Sequence, residues 1–386
     1  MKTNQKDNKK RLITLISLFA IIFSGIGQNY ISDLKLDGKS VEKLTIKITP
    51  PKGQPKEIEL RKKTLIESGS ILEVSSKMDI FITSINGNIG QITGPNAVEF
   101  TANTTGEEYR IINGSGTSNV FVKVFKQLTG GVLTSGPTGE IHARSRLTEF
   151  LLAVDDNNEN FKLIKGKIDI NRRQKFELKD ENKIDTIKTK ALFITETKQL
   201  NLKESIYNFI ADSVHTISLN DDNEINKFFD LQQSQQKRNI TKAGSKSNKA
   251  FKYVDNGDLE NGLPLIEDAY TSGELRCDII IQSSLILSEN YFRKDNLKKS
   301  KAWLEVGLHF SELFYKLNKD KYEHYVKLGN KNITKAFGLD YLVSNEYNIW
   351  VYTLKARING CLENELENPS KYRREAKRIE KEISDF

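Results

Sequence analysis

Residues 146–154 read RLTEFLLAV, a run in which apolar or β-branched side chains recur at every second position. The recurring residues are Thr148, Phe150, Leu152 and Val154. Successive side chains of a strand point to opposite faces of a sheet, so these residues share one face. The run therefore predicts a half-buried strand with Phe150 in the core.

Segments of the same kind lie on both sides of this run, from about residue 30 to residue 225. They read MDIFIT (78–83), FVKVF (121–125) and IDI (168–170). Turn signals rich in Asn, Asp, Gly and Pro separate them, and twelve of the 24 glycines lie between residues 62 and 170. Many short strands joined by tight turns are typical of an antiparallel sandwich, a jelly roll or a β-helical barrel.

Two flanking regions add to this β-rich part. Residues 30–61 are predicted as a short β segment, which the proline-rich run PPKGQP at 50–55 separates from the strands after it. Residues 173–228 contain further strand-like runs, such as KALFIT at 190–195, and are predicted as a β extension packed on the domain at 62–172.

The central region, roughly residues 62–172, resembles the FecR-like periplasmic domain. The stretches that carry the resemblance are LIESGSIL at 65–72, the hairpin segment 78–92, and 146–170. In the last of these, Leu147 stands where the family has glycine, and Gly166 lies in the family's closing strand pair. A tight turn between two strands needs positive φ, so Gly166 is predicted to have a structural role.

The resemblance implies an all-β sandwich or jelly roll that works as a sensor or interaction module outside the inner membrane, often in signalling to a sigma factor. Regulators of that kind carry an anti-sigma domain before their membrane helix. Here only about 11 residues precede the first apolar segment, so the sequence argues against a direct anti-sigma role.

The N-terminal 27 residues have the pattern of a secretory signal. A basic stretch precedes a 12-residue apolar run at 12–23, and the small residues of SGIG at 24–27 come directly after it. We expect export to the periplasm or the extracellular space, with cleavage before Gln28. The alternative is an uncleaved signal anchor, in which residues 12–27 attach the protein to the inner membrane.

The second half of the chain changes to the 3.6-residue period of helices, and glycine falls to seven residues between 245 and 386. Residues 229–249 are polar and are predicted as a linker before an α-helical domain at 250–386. Within that domain, pairs of similar residues recur 38 positions apart, among them Tyr253 with Tyr291 and Gly262 with Ser300. The pattern of recurring small and large residues resembles tetratricopeptide repeats, whose units are helix pairs. Their usual period is about 34 residues, so an extra turn of chain is expected between the two units. An unrelated helical bundle is the alternative.

The charge pattern argues against nucleic-acid binding. The formal net charge is +8, but without residues 1–27 there are 54 lysines and arginines against 50 acidic residues, and they are interspersed.

No catalytic, cofactor-binding or metal-binding motif stands out. The four histidines have no metal spacing, Cys277 and Cys361 form no CxxC pair, and no P-loop, GxGxxG or GxSxG occurs in a strand–helix setting. In an oxidising compartment Cys277 and Cys361 could pair; two separate buried thiols are the alternative.

The sequence thus predicts a non-catalytic exported envelope protein that acts as an adaptor or scaffold for protein partners. A stack of paired helices offers a groove, and its lining is predicted to include Lys252, Asn256, Asn290 and Arg293. Two alternatives remain: a membrane-anchored component of a FecR-type signalling system, and a secreted hydrolase acting on glycans.

Overall fold

The computed structural model describes residues 28–113, 118–136, 139–155, 158–178, 189–201, 205–210, 215–219, 221–361, 365 and 367–385. The predicted signal segment therefore lies outside the described residues. Over the described ranges, no helix is both long enough and apolar enough to cross a bilayer.

The first part of the chain forms two packed β-sheets. Eight strands make up the outer sheet: β1 (Tyr30–Leu36), β2 (Lys39–Ser40), β6 (Met78–Thr83), β7 (Ile89–Thr93), β10 (Ser118–Val124), β13 (Thr148–Val154), β14 (Asn158–Lys165) and β17 (Ser205–Ile210). Their order across the sheet is β17-β14-β13-β10-β7-β6-β1-β2.

Ten strands make up the central sheet: β3 (Lys43–Thr49), β4 (Lys56–Arg61), β5 (Ser70–Val74), β8 (Asn96–Ala102), β9 (Gly106–Asn113), β11 (Gly131–Ser135), β12 (Gly139–Ala143), β15 (Lys167–Leu178), β16 (Thr189–Asn201) and β18 (His215–Leu219). The order is β16-β15-β12-β11-β9-β8-β5-β3-β4, and β18 pairs with β15. Neighbouring strands are antiparallel except for the parallel pairs β9–β11 and β15–β18.

One hydrophobic core fills the space between the sheets. It forms because alternate side chains along each strand point into this space. On β13, Phe150 and Leu152 are fully buried while Leu151 is partly exposed. Their neighbours on β10, Val120 and Val122, are also fully buried. The predicted strand and the core position of Phe150 are confirmed.

Residues 30–61 are an integral part of this sandwich, which corrects their prediction as a separate β segment. β1 pairs with β6 in the outer sheet, and β3 pairs with β5 in the central sheet. Ile31 and Ile46 belong to the shared core. The proline-rich run at 50–55 connects β3 to β4 as a hairpin, so it does not separate two units.

Two residues at strand ends have left-handed backbone. Gly166, between β14 and β15, has φ of +92°, as predicted for a tight turn. Leu147, just before β13, has φ of +58°, which is unfavourable for a residue with a Cβ atom. Leu147 thus adopts a conformation for which the glycine of the resembled family would be better suited.

Seven helices come after the strands in the described residues. They are α1 (Asp222–Thr241), α2 (Ser245–Val254), α3 (Leu259–Thr271), α4 (Cys277–Arg293), α5 (Leu297–Leu328), α6 (Lys331–Asn359) and α7 (Glu367–Ser384). The chain thus has the predicted two-part α+β architecture, with a β-rich part before a helical part.

The predicted linker at 229–249 is helical, occupied by most of α1 and the start of α2. Phe229 and Ile240 of α1 are buried. Gln236 is buried as well, and its side chain accepts a hydrogen bond from the Ser283 hydroxyl of α4 at 2.9 Å. The linker prediction was wrong because Gln236 forms its hydrogen bond inside the protein, whereas the polar composition alone suggested a solvated segment. The β extension predicted for 173–228 ends earlier than expected, since α1 begins at Asp222.

The turns of the first two helical hairpins match at the predicted offset. The carbonyl of Tyr253 accepts the backbone N–H of Asp258 at 3.0 Å, and that of Tyr291 accepts the N–H of Asn296 at 2.9 Å. The side chains of Asp258 and Asn296 then cap α3 and α5. Tyr253 and Tyr291 therefore occupy equivalent places on successive hairpins.

The helical part packs on the face of the central sheet that points away from the sandwich core. Ile71 of β5 and Ile112 of β9 form a separate apolar cluster with Tyr325, Ile333 and Phe337 of α5 and α6. The layers are thus outer sheet, central sheet and helices.

Candidate functional site

Ion pairs also join the central sheet to the helices among the described residues. Glu140 of β12 lies 2.7 Å from Arg276, which immediately precedes α4. Arg110 of β9 lies 2.5 Å from Asp340 of α6, and Glu99 of β8 forms an ion pair with Lys321 of α5.

Arg276 bonds carboxylates on both sides of this contact. One guanidinium nitrogen donates to Glu140, and another donates to Asp278 in the first turn of α4 at 2.6 Å. Burial opposes ionisation of Glu140, but Arg276 outweighs it and holds the pKa of that carboxyl below its usual value. Both groups are thus charged at neutral pH.

Two glycines allow the backbones to meet beside this ion pair. A Cβ atom on Gly130 would lie 2.9 Å from the carbonyl oxygen of Gly273, and one on Gly273 would lie 2.5 Å from Oγ1 of Thr105. Gly273 also has φ of +75°. The loop between α3 and α4 therefore contacts the residues that directly precede β9 and β11.

His142 of β12 lies next to this glycine contact. Its Nε2 is 2.9 Å from the carbonyl oxygen of Gly130 and donates its hydrogen there, because a carbonyl can only accept. Burial, with help from the charge of Arg144, lowers the pKa of His142 to about 4. The imidazole is therefore neutral at pH 7 and supports the loop that carries Gly130.

Two clefts adjoin the contact and share the lining residues Gly130, His142, Gly273, Leu275 and Arg276. We name them the basic cleft, with a volume of about 400 Å³, and the mixed cleft, of about 560 Å³. Both lie between the sandwich and the helices, within the size range of ligand pockets.

The basic cleft has a β wall and an α wall. The β wall carries Glu140, His142, Arg144, Asp169 and Asn171. The wall from α1 carries Gln235, Arg238, Asn239 and Lys242. The helical spacing i, i+3, i+4, i+7 places these four side chains on one face of α1.

The carboxylates of the basic cleft already have partners. Glu140 pairs with Arg276, and Glu274 accepts the backbone N–H groups of Lys246 and Ser247 at 3.1 Å each. Glu274 thereby caps α2, whose own N-cap residue is Gly244 and has no capping side chain. Asp169 interacts electrostatically with Arg144. Neither Arg238 nor Lys242 has an ion pair among the described residues.

The mixed cleft has carboxylates and cations beside an apolar wall. Arg110 and Lys321 both lie over the ring of Phe337, at 5.2 and 4.3 Å from its centroid. Burial raises the pKa of Glu108, whose carboxylate accepts a hydrogen bond from the Ser135 hydroxyl at 3.2 Å. Leu317 at the rim is 50% exposed.

The predicted groove residues do not line one surface. Lys252 and Asn256 are exposed near the end of α2, but Asn290 is 1% exposed and donates to the Phe229 carbonyl at 3.0 Å. Arg293 is also mostly buried, forms an ion pair with Glu289 at 2.8 Å and lies over the Phe229 ring. This part of the prediction was wrong because α1 covers that face of α4, where a linker was expected.

Sequence reasoning missed Arg144, Arg238, Lys242 and Arg276 as potential binding residues. The one signal available was the spacing of Arg238 and Lys242, which places them one turn apart on any helix. That signal was lost when the segment was assigned to a linker.

Comparison with known proteins gives no family for this chain. No protein-family model matches the sequence, and no curated protein matches it either.

The described residues contain no group of three or more His, Cys, Asp or Glu side chains placed to hold a metal ion. Cys277 is buried and Cys361 is exposed, and both are free thiols. The candidate binding features are therefore the two clefts and the exposed faces of the sheets and helices.

Proposed function

We propose that the protein is a non-catalytic, exported envelope protein that acts as an adaptor or scaffold for protein partners. The observation that carries the proposal is the joint between its two parts. Ion pairs, two meeting glycines and an apolar cluster hold the helices on the central sheet. Surfaces on the sandwich and on the helices are thereby held at fixed positions relative to each other. Such an arrangement suits a protein that brings two partners together.

The first partner surface is the solvent face of the outer sheet. A row of paired residues crosses four strands there: Phe81, Gln91, Phe121 and Leu151. Each is partly exposed, while its neighbours along the strand point into the core. Aromatic residues are enriched at protein-binding surfaces, and two of the four residues in this row are phenylalanines.

The second partner surface is on the helices, where Lys252 and Asn256 are exposed at the end of α2. They lie in the first of the two matching hairpins. The central sheet separates the helices from the outer sheet. Stacked pairs of helices offer extended surfaces on which partners bind.

The finer classification is part of this proposal. A FecR-like assignment of the sandwich is supported by the positive φ of Gly166 and by the positive φ of Leu147 at the position of the family's glycine. A tetratricopeptide-like assignment of the helices is supported by the equivalent turns of two successive helical hairpins, whose offset of 38 residues is longer than the usual repeat of about 34. Export is supported by the signal pattern of residues 1–27.

Co-purification from envelope extracts tests the adaptor role. Phe121→Glu places a charge on the sheet face, and Lys252→Glu reverses one on the helices. We expect the tagged protein to retain partners in stoichiometric amounts, with each variant losing a different one. A wild-type protein that retains none, or two variants that retain the full set, would contradict the proposal.

A further inference from the structure

We propose that the basic cleft binds an oxyanion, a phosphate or carboxylate group of a small ligand, between the sandwich and the helices. The starting observation is an excess of cations. Arg144, Arg238, Lys242 and Arg276 line the cleft, against the carboxylates Glu140, Asp169 and Glu274. Each of these carboxylates has a partner: Glu140 pairs with Arg276, Asp169 interacts with Arg144, and Glu274 caps the N-terminus of α2. Arg238 and Lys242 are therefore the cleft cations that have no ion pair among the described residues.

The donors lie on both walls. Arg238 and Lys242 are one turn apart on α1, and Arg144 follows the last residue of β12 on the opposite wall. Guanidinium groups bind phosphate or carboxylate through two parallel hydrogen bonds, and an ammonium group adds a point charge. An oxyanion between the walls would therefore be bound from two sides.

Amides complete the polar lining. Gln235 and Asn239 lie on the same face of α1 as Arg238 and Lys242, and the Gln235 amide donates to Asn239 at 2.9 Å. Asn171 on the β wall donates to Glu140 at 2.8 Å. An amide side chain both donates and accepts hydrogen bonds, so these groups can bond the hydroxyl groups of a polar ligand.

The size and charge of the cleft exclude other ligand classes. A volume of about 400 Å³ fits a sugar acid or a phosphorylated small molecule and is too small for a folded segment. A cationic ligand would meet Arg238 and Lys242 with no free carboxylate opposite them. The preferred ligand is thus small, anionic and polar.

Binding would also hold the two parts of the protein together, since Arg144 follows β12 of the sandwich and the other donors lie on α1. A ligand that binds only the folded protein raises its stability in proportion to concentration. The two proposals fail separately, because anion binding here needs no protein partner.

Calorimetric titration of the mature chain, residues 28–386, tests the site. Inorganic phosphate and glucuronate are the two probes, and sodium chloride at matched ionic strength is the control. We expect saturable binding of at least one probe, and the preferred probe identifies the ligand as a phosphate or a sugar acid. Absence of saturable binding of both would overturn the proposal.

Variants locate the binding. Arg238→Gln with Lys242→Gln removes two exposed cations and is expected to weaken binding at least about tenfold, which corresponds to one lost charge-assisted contact. Lys227→Gln on α1 is the matched control, because Lys227 is exposed and does not line the cleft. Equal affinity in the double variant and the wild type would place the anion elsewhere. Arg144→Gln tests the β wall separately if the double variant does not fold.

Discussion

The carboxylate of Glu140 lies 2.7 Å from the guanidinium of Arg276, although the two residues are 136 positions apart in the chain. Glu140 is on a strand of the sandwich and is 3% exposed, and Arg276 immediately precedes a helix. This pair joins the two parts of the protein at the point where both clefts meet.

Removing Arg276 should destabilise the protein more than removing both partners. Arg276→Met leaves the buried Glu140 carboxylate without its cation, and we expect a loss of about 3 kcal/mol in the free energy of unfolding. The double variant Glu140→Gln with Arg276→Met should recover part of this loss. Urea unfolding of the wild type, of each single variant and of the double variant measures it. Additive single effects would mean that the two side chains are not coupled.

His142 should make the protein sensitive to mild acid. Its folded pKa is about 4, below its ordinary value of 6.5, so between these pH values the unfolded chain binds a proton that the folded chain does not. Stability therefore falls as pH drops from 6.5 toward 4, by about 3 kcal/mol at roughly 1.4 kcal/mol per pH unit.

The matched variant is His142→Gln, which retains an N–H donor for the Gly130 carbonyl and does not titrate. Unfolding free energies at pH 7, 6, 5 and 4 should decline less steeply for this variant than for the wild type. Parallel curves for the two proteins would argue against a neutral, buried His142.

Leu147→Gly should stabilise the protein. The substitution relieves a φ of +58°, and Leu147 is 58% exposed, so little apolar burial is lost. After subtraction of the greater chain entropy of glycine, we expect a gain of roughly 0.5–1 kcal/mol. The contrasting variant is Gly166→Ala, whose Cβ would lie 2.6 Å from Oγ1 of Thr148 and which should lower the melting temperature. A loss of stability in Leu147→Gly would show that the leucine side chain makes a necessary contact.

Glu274 should matter for α2 even though it lies outside that helix. Glu274→Ala removes the acceptor for the Lys246 and Ser247 N–H groups, and we expect a loss of about 1–2 kcal/mol. Glu260→Ala on the exposed surface of α3 is the control and should change stability by less than about 0.5 kcal/mol. Equal effects of the two substitutions would rule out the capping role.

Local patterns predicted the sandwich well. The alternation around Phe150 located a core strand, and the glycine at 166 located a left-handed turn, because both signals depend on neighbouring residues alone. The 38-residue offset between Tyr253 and Tyr291 located two equivalent turns, because the recurrence of similar residues is visible in the sequence without knowledge of tertiary contacts.

The candidate site could not be predicted in this way, because its residues come from distant parts of the chain. Nothing near Glu140 in sequence points to Arg276, and the backbone contact of Gly130 with Gly273 exists only after folding. The buried Gln236 made α1 look like a solvated linker, since composition does not reveal that Ser283 donates a hydrogen bond to it.

Photo-crosslinking in cells tests the adaptor role most directly. A photoreactive residue would replace Phe121 on the outer sheet in one sample and Lys252 on the helices in another, with Lys227 as the control position. We expect the two sites to capture two different envelope proteins, each absent from the control. Capture of the same background proteins at all three positions would contradict it.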